Sequence, residues 1–137
     1  MRIMYVSGNV GRNRKWNGIE QKILLSDFIA RYEKHFLIED TYAEVDTGGE
    51  AGRLLAAGST GEIAVIQMID GDNRSAIFVP ADDSMFGTGR ESVRVPIMED
   101  CTEYDSRFAM SAAQAWRTLL HMITDEHYPD KQSWFYL

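Results

Sequence analysis

Short apolar runs separated by turn residues fill the middle of this chain, and they restrict its fold more than any other feature. The runs are "RLLAAG", "EIAVIQMI", "RSAIFVP" and "ESVRVPIM". Ser59, Thr60 and Gly61 form a short turn between the first two, and "DGDN" between the second and third is a strong hairpin signal. "LIEDTYAEV" precedes them as a partly alternating strand, closed by the turn-rich "DTGGEAG". "DDSMFGTG" reads as a loop, and Pro96 marks a sheet edge or the end of its strand. From Leu37 to Ile97 the pattern is therefore strand, turn, strand.

Both flanks change period. Met1 to Val6 suits an opening strand buried on both sides, with Ile3 and Tyr5 on one face and Met4 and Val6 on the other. "SGNVGRNRKWNG" has the chemistry of a hairpin with a basic loop, and "IEQKILL" reads as the returning strand, although its spacing also passes for the first turns of a helix. Ser26 and Asp27 offer N-cap side chains for "DFIARYEKHF", a short amphipathic helix with Phe28, Ile29, Tyr32 and His35 or Phe36 at helical spacing. "TEYDSRFAM" fits a strand or an irregular approach to the last helix. Ser111 is the expected N-cap of "AAQAWRTLLHMITDEHY", where Ala115, Leu119, Met122 and Ile123 share a face flanked by Ala112 and Trp116. Pro129 ends that helix, and Trp134 in the closing segment is expected to fold back against the sheet or the helix. The expectation is one α+β domain over residues 1–137, with a largely antiparallel sheet of about four to six strands, an early short helix and a C-terminal helix packed on the sheet.

Charge is unevenly divided. Residues 1–34 hold seven of the 14 Lys and Arg but three of the 21 acids, a balance of +4 that leaves −11 for residues 35–137. The acidic part is a poor partner for a phosphate backbone and attracts a basic protein. No run approaches the ~18–20 apolar residues of a membrane span, and the N-terminal apolar stretch is too short for a signal peptide. These features lead to the expectation of a soluble cytoplasmic protein with no membrane and no direct nucleic-acid partner.

Motifs for chemistry are sparse. Cys101 is the only cysteine, so the chain has no internal disulfide and no thiolate zinc set. His121 and His127 are six residues apart, which puts them on different helical faces, and the three histidines lack metalloprotease spacing. "GTGRES" lacks the third glycine of a dinucleotide fingerprint, and "GGEAG" lacks a phosphate-binding lysine. Ser7, Ser59 and Ser92 lack a nucleophile elbow. The expectation is no catalytic residue, no metal and no cofactor.

What accumulates instead is loop carboxylate: Asp70, Asp72, Asp82, Asp83, Glu99, Asp100, Glu103 and Asp105, interleaved with Met85, Phe86 and Tyr104. Acids mixed with aromatic and methionine side chains suit docking on a basic, partly apolar protein site. These eleven residues are the candidate contact surface.

The tail Tyr128-Pro129-Asp130-Lys131-Gln132-Ser133-Trp134, the strand and turn "EIAVIQMIDGD", and "ESVRVPI" before an acidic stretch occur in an order that resembles a known family. It is that of the small acidic immunity proteins encoded beside bacterial polymorphic toxins, especially those paired with nucleic-acid deaminase toxins. The resemblance covers roughly residues 26–137 and leaves the basic Arg12 to Lys15 stretch outside. It implies a non-enzymatic inhibitor in interbacterial competition, bound 1:1 to a cognate toxin domain whose basic active-site cleft it occludes. Two other readings stay open on the residues alone. One is an enzyme or small-ligand binder with a site around the histidines and loop carboxylates, and the other is an adaptor subunit.

Overall fold

In the computed structural model the described residues are 3–10, 17–46, 54–70, 72–80, 92–98, 100–125 and 131–137. The chain opens with β1 (Ile3–Val10) and β2 (Asn17–Leu24), which pair antiparallel with Tyr5 opposite Lys22, and passes directly into α1 (Leu25–Ile38). "IEQKILL" is thus strand up to Leu24, and its last residue, Leu25, opens α1. Ser26 and Asp27 sit inside the first helical turn, and Leu24 holds the cap position with no side-chain cap bond. The strand runs into the helix without a loop, so those side chains arrive two and three residues too late to cap it. Asp27 still meets the positive end of the helix dipole. Leu37 and Ile38 close α1 instead of opening a strand.

β3 (Thr41–Asp46), β4 (Leu54–Ser59), β5 (Ile63–Ile69) and β6 (Ser75–Phe78) then form a meander. Next come β7 (Ser92–Ile97), β8 (Asp100–Asp105), a 3₁₀ turn (Ser106–Phe108), β9 (Met110–Ser111), α2 (Ala112–Asp125), a second 3₁₀ turn (Lys131–Ser133) and β10 (Trp134–Tyr136). Eight strands make one antiparallel sheet in the order β10-β6-β5-β4-β3-β1-β2, with β9 also on β5. β7 and β8 make a separate hairpin. The fold is α+β with an early and a C-terminal helix, and the helices bracket the strands as the periodicity indicates.

The sheet is covered on both faces, which is why β5 reads as an almost unbroken apolar run. On one face Ala43, Val45, Leu55, Ala57, Ile66 and Met68 meet α1 through Phe28, Tyr32 and Phe36 and α2 through Ala115, Trp116, Leu119, Met122 and Ile123. On the other, Val65, Ile63 and Ile77 meet the hairpin through Val93, Val95 and Tyr104. Ser111 caps α2 as expected, its hydroxyl accepting from the Gln114 amide at 3.1 Å. Trp134 adds a strand to the edge of β6, opposite Phe78, and packs edge-on against that ring at 5.4 Å. The ordered end of the chain is thus part of the sheet.

Two glycines are fixed by close approach. Gly61 has φ +93° and lies against the Ile38 and Glu39 backbone, where the Ser59 hydroxyl donates to the Phe36 carbonyl at 2.6 Å and accepts from Gly61 N–H at 2.9 Å. Gly58 lies under the Pro96 carbonyl, where the hairpin crosses the sheet. Among the described residues no helix is long and apolar enough to cross a membrane.

Candidate functional site

β7 alternates from Ser92 to Val95 and β8 from Cys101 to Asp105. Val93, Val95 and Tyr104 point to the sheet and are buried, whereas Ser92, Arg94, Cys101, Glu103 and Asp105 are exposed. Register places Arg94 opposite Glu103 and Ser92 opposite Asp105. Asp100, also exposed, opens β8 opposite Ile97. The outside of the hairpin therefore presents the carboxylates of Glu103 and Asp105 and the Arg94 guanidinium on a support packed over its own core, with Asp100 exposed at the end of the strand.

That support is anchored at both ends. Pro96 meets Gly58 at one, and at the other Arg107 lies over the rings of Phe108 and Phe135, 4.6 and 4.7 Å from their centroids. Asp105 accepts from the Arg107 amide at 2.9 Å and so starts the 3₁₀ turn. In the β5-β6 turn the Asp70 carboxylate accepts from the amides of Asp72 and Arg74 at 2.9 and 3.0 Å. Asp70 shapes that turn, with Asn73 in the left-handed region at φ 60°, and Asp72 is exposed.

Of the eleven candidate contact residues, β8 brings Asp100, Glu103 and Asp105 together, and Asp70 and Asp72 share the other turn. Asp82, Asp83, Met85, Phe86 and Glu99 lie outside the described residues. Tyr104 does not belong to the surface set: strand alternation turns it inward from Glu103 and Asp105, and it is 9% exposed. Its hydroxyl accepts from Gln67 Nε2.

Beside it the structure assembles polar groups that sequence reasoning missed. Tyr42 donates to Glu44 Oε2 at 2.6 Å, and Ser7 donates to Glu44 Oε1 at 3.2 Å. Tyr42 and Glu44 alternate onto one face of "TYAEV", which was the legible signal; Ser7, 37 residues away, had none. Burial, reinforced by the Glu44 carboxylate, drives the Tyr42 hydroxyl far above its ordinary value of 10.0. Burial pushes Tyr104 up to about 12. At neutral pH both hydroxyls keep their protons; Tyr104 joins hairpin to sheet through Gln67, and Tyr42 donates to Glu44 within β3.

The Tyr104 pKa sets an alkaline dependence. Its folded value exceeds its unfolded value, so its stabilising contribution is complete below pH 10 and is lost as pH rises toward about 12. Urea midpoints of the wild type should fall across that interval, and those of Tyr104→Phe should fall less. Parallel curves would mean that the hydroxyl is not buried.

Two of the three histidines lie among the described residues. His35 Nδ1 lies 2.9 Å from Glu39 Oε2 at the end of α1, and His121 is exposed on α2; His127 lies outside the described residues. Among the described residues no group of three His, Cys, Asp or Glu side chains is placed to hold a metal. Cys101 is exposed. An open recess lined by Lys22, Ile23, Leu24 and Asp27 lies where β2 enters α1. Compared with family models, curated proteins and solved structures, the chain has no match.

Proposed function

We propose that this chain is an immunity protein that binds a cognate bacterial toxin domain, a nucleic-acid deaminase, and occludes its basic active-site cleft in the cytoplasm of the producing cell. The observation that carries the reading is the β7-β8 hairpin, which turns Glu103 and Asp105 outward on a packed support and exposes Asp100 at its end. A toxin that acts on nucleic acid needs a basic cleft, and carboxylates at fixed spacing imitate the phosphates it is built to receive. The excess of 18 acids over seven bases in residues 35–137 steers encounter with such a cleft. The partner's chemistry comes from the resemblance of the "EIAVIQMIDGD", "ESVRVPI" and Trp134 segments to the deaminase-paired immunity family.

The experiment is co-expression with the toxin domain encoded by the neighbouring gene, reading complex formation and survival of the host cell. Asp100→Lys with Glu103→Lys should slow association about ten-fold at low salt, with the difference shrinking as salt screens it. Asp105 is left intact because it caps the 3₁₀ turn. An unchanged association rate would move the contact away from β8, and a toxin domain that neither binds nor is neutralised would sink the immunity reading.

A further inference from the structure

In the β7-β8 hairpin Ile97 pairs with Asp100, so two residues, Met98 and Glu99, join the strands. Loops that short match the twist of their strands when the first residue takes a positive φ, and Met98 does so, at φ 57°. Glycine enters that region freely, and asparagine is helped by local hydrogen bonds from its short side chain. Methionine has neither advantage. The β5-β6 turn also needs a positive φ and places Asn73 there, at φ 60°. Among the described residues these two are the non-glycine positions with positive φ.

Position 98 therefore holds a residue that its backbone disfavours, and what methionine adds there is an apolar side chain. Met98 is 43% exposed, at the tip of an acidic hairpin. Asp100 is exposed two residues on, and Glu103 and Asp105 face outward along the same strand. The tip stands on a fixed base. Immediately before it Pro96 and Ile97 press on Gly58 of β4, with Ile97 Cδ1 3.2 Å from where a Cβ would lie. An apolar contact made at Met98 thus needs little further ordering of the backbone that carries it. The flexible thioether side chain adapts readily to the shape of a facing pocket.

We propose that Met98 is the apolar anchor of the partner-binding surface, entering an apolar pocket on the toxin domain whose rim carries the basic groups that meet Asp100 and Glu103. The anchor deepens the reading of the hairpin as the toxin-binding element and rests on it. Charge selects this occupant. A second copy's hairpin would set acids against acids, and a phosphate backbone would be repelled, whereas a basic protein surface is attracted. The two kinds of residue then act at different stages. Exposed carboxylates act at a distance and set the rate of encounter, while a side chain buried on contact acts after docking and sets the rate of release.

Binding kinetics of the full chain with the toxin domain of the neighbouring gene, measured beside urea unfolding, test the anchor. Met98→Asn suits the positive φ and removes the apolar group. It should raise the urea midpoint and yet release the toxin domain about ten-fold faster, with association changed by about two-fold at most and little effect of salt on the difference. Met98→Leu keeps an apolar side chain of similar volume at the same φ, so its midpoint and release rate should stay near those of wild type. A side chain that only supported the hairpin would lose stability and binding together. Release of Met98→Asn at the wild-type rate overturns the anchor and leaves the immunity reading standing, provided that wild type binds and neutralises the toxin domain. A lower midpoint for Met98→Asn also overturns it, because the methionine would then be supporting the fold. A wild-type chain that does not bind the toxin domain overturns the anchor and the immunity reading together.

Discussion

Trp116→Ala is expected to cost about 4 kcal/mol, a large share of the ~5–15 kcal/mol that holds a domain of this size. The indole is a central contact between the two helices. It stacks on Phe28 at 5.4 Å and 21°, meets Phe36 at 5.2 Å and 43°, and is 3% exposed. Its Nε1–H donates to Glu33 Oε2 at 2.7 Å, so one α2 residue engages three α1 side chains. Alanine removes the ring and leaves a cavity whose walls are fixed by the sheet beneath. Trp116→Phe keeps a ring between Phe28 and Phe36 and loses the indole donor. Glu33 is only half-buried and rehydrates, so the cost should fall to about 1–2 kcal/mol. Urea unfolding of the two variants checks this, and a loss below about 1 kcal/mol for alanine would show that the helices do not depend on this contact.

Gly58→Val is the second large effect, about 3 kcal/mol. A Cβ at position 58 runs into the Pro96 carbonyl, and Ile97 Cδ1 is 3.2 Å away. The obstacle is backbone, so relief requires the whole hairpin to lift from the sheet. Lifting it wets the second core of Val65, Ile77, Val93 and Val95 and separates Tyr104 from Gln67. The variant should therefore show a lower urea midpoint and a Tyr104 that titrates below about 12, toward its ordinary 10.0, both measurable in one tyrosinate absorbance series. An unchanged midpoint with an unshifted Tyr104 would mean that hairpin and sheet are not packed through Gly58.

Local features were legible where one element's own period or cap decides them. The meander of β3 to β6, the Ser111 cap and the buried stripe of α2 all follow from residues within a few positions of each other. The N-cap at Ser26 or Asp27 failed because β2 runs straight into α1, which no propensity at those two residues encodes. The inward turn of Tyr104 was available from alternation with Glu103 and Asp105. It was hidden because "TEYDSRF" also fits irregular chain, in which alternation means nothing.

The sequence by itself therefore determined the α+β class, the order of strands and helices, the buried stripe of α2, the acidic excess of residues 35–137 and the demand that Trp134 be buried. These depend on composition and on periods of 2 and 3.6, which are properties of neighbouring residues. Tertiary structure alone decided that β7 and β8 leave the main sheet and cross its outer face, that β10 returns to the edge of β6, and that Ser7 and Tyr42 converge on Glu44. Which strand pairs with which is settled by hydrogen bonds between residues distant in the chain and by the two faces that must both be covered. A strand's own residues carry its face and not its neighbour.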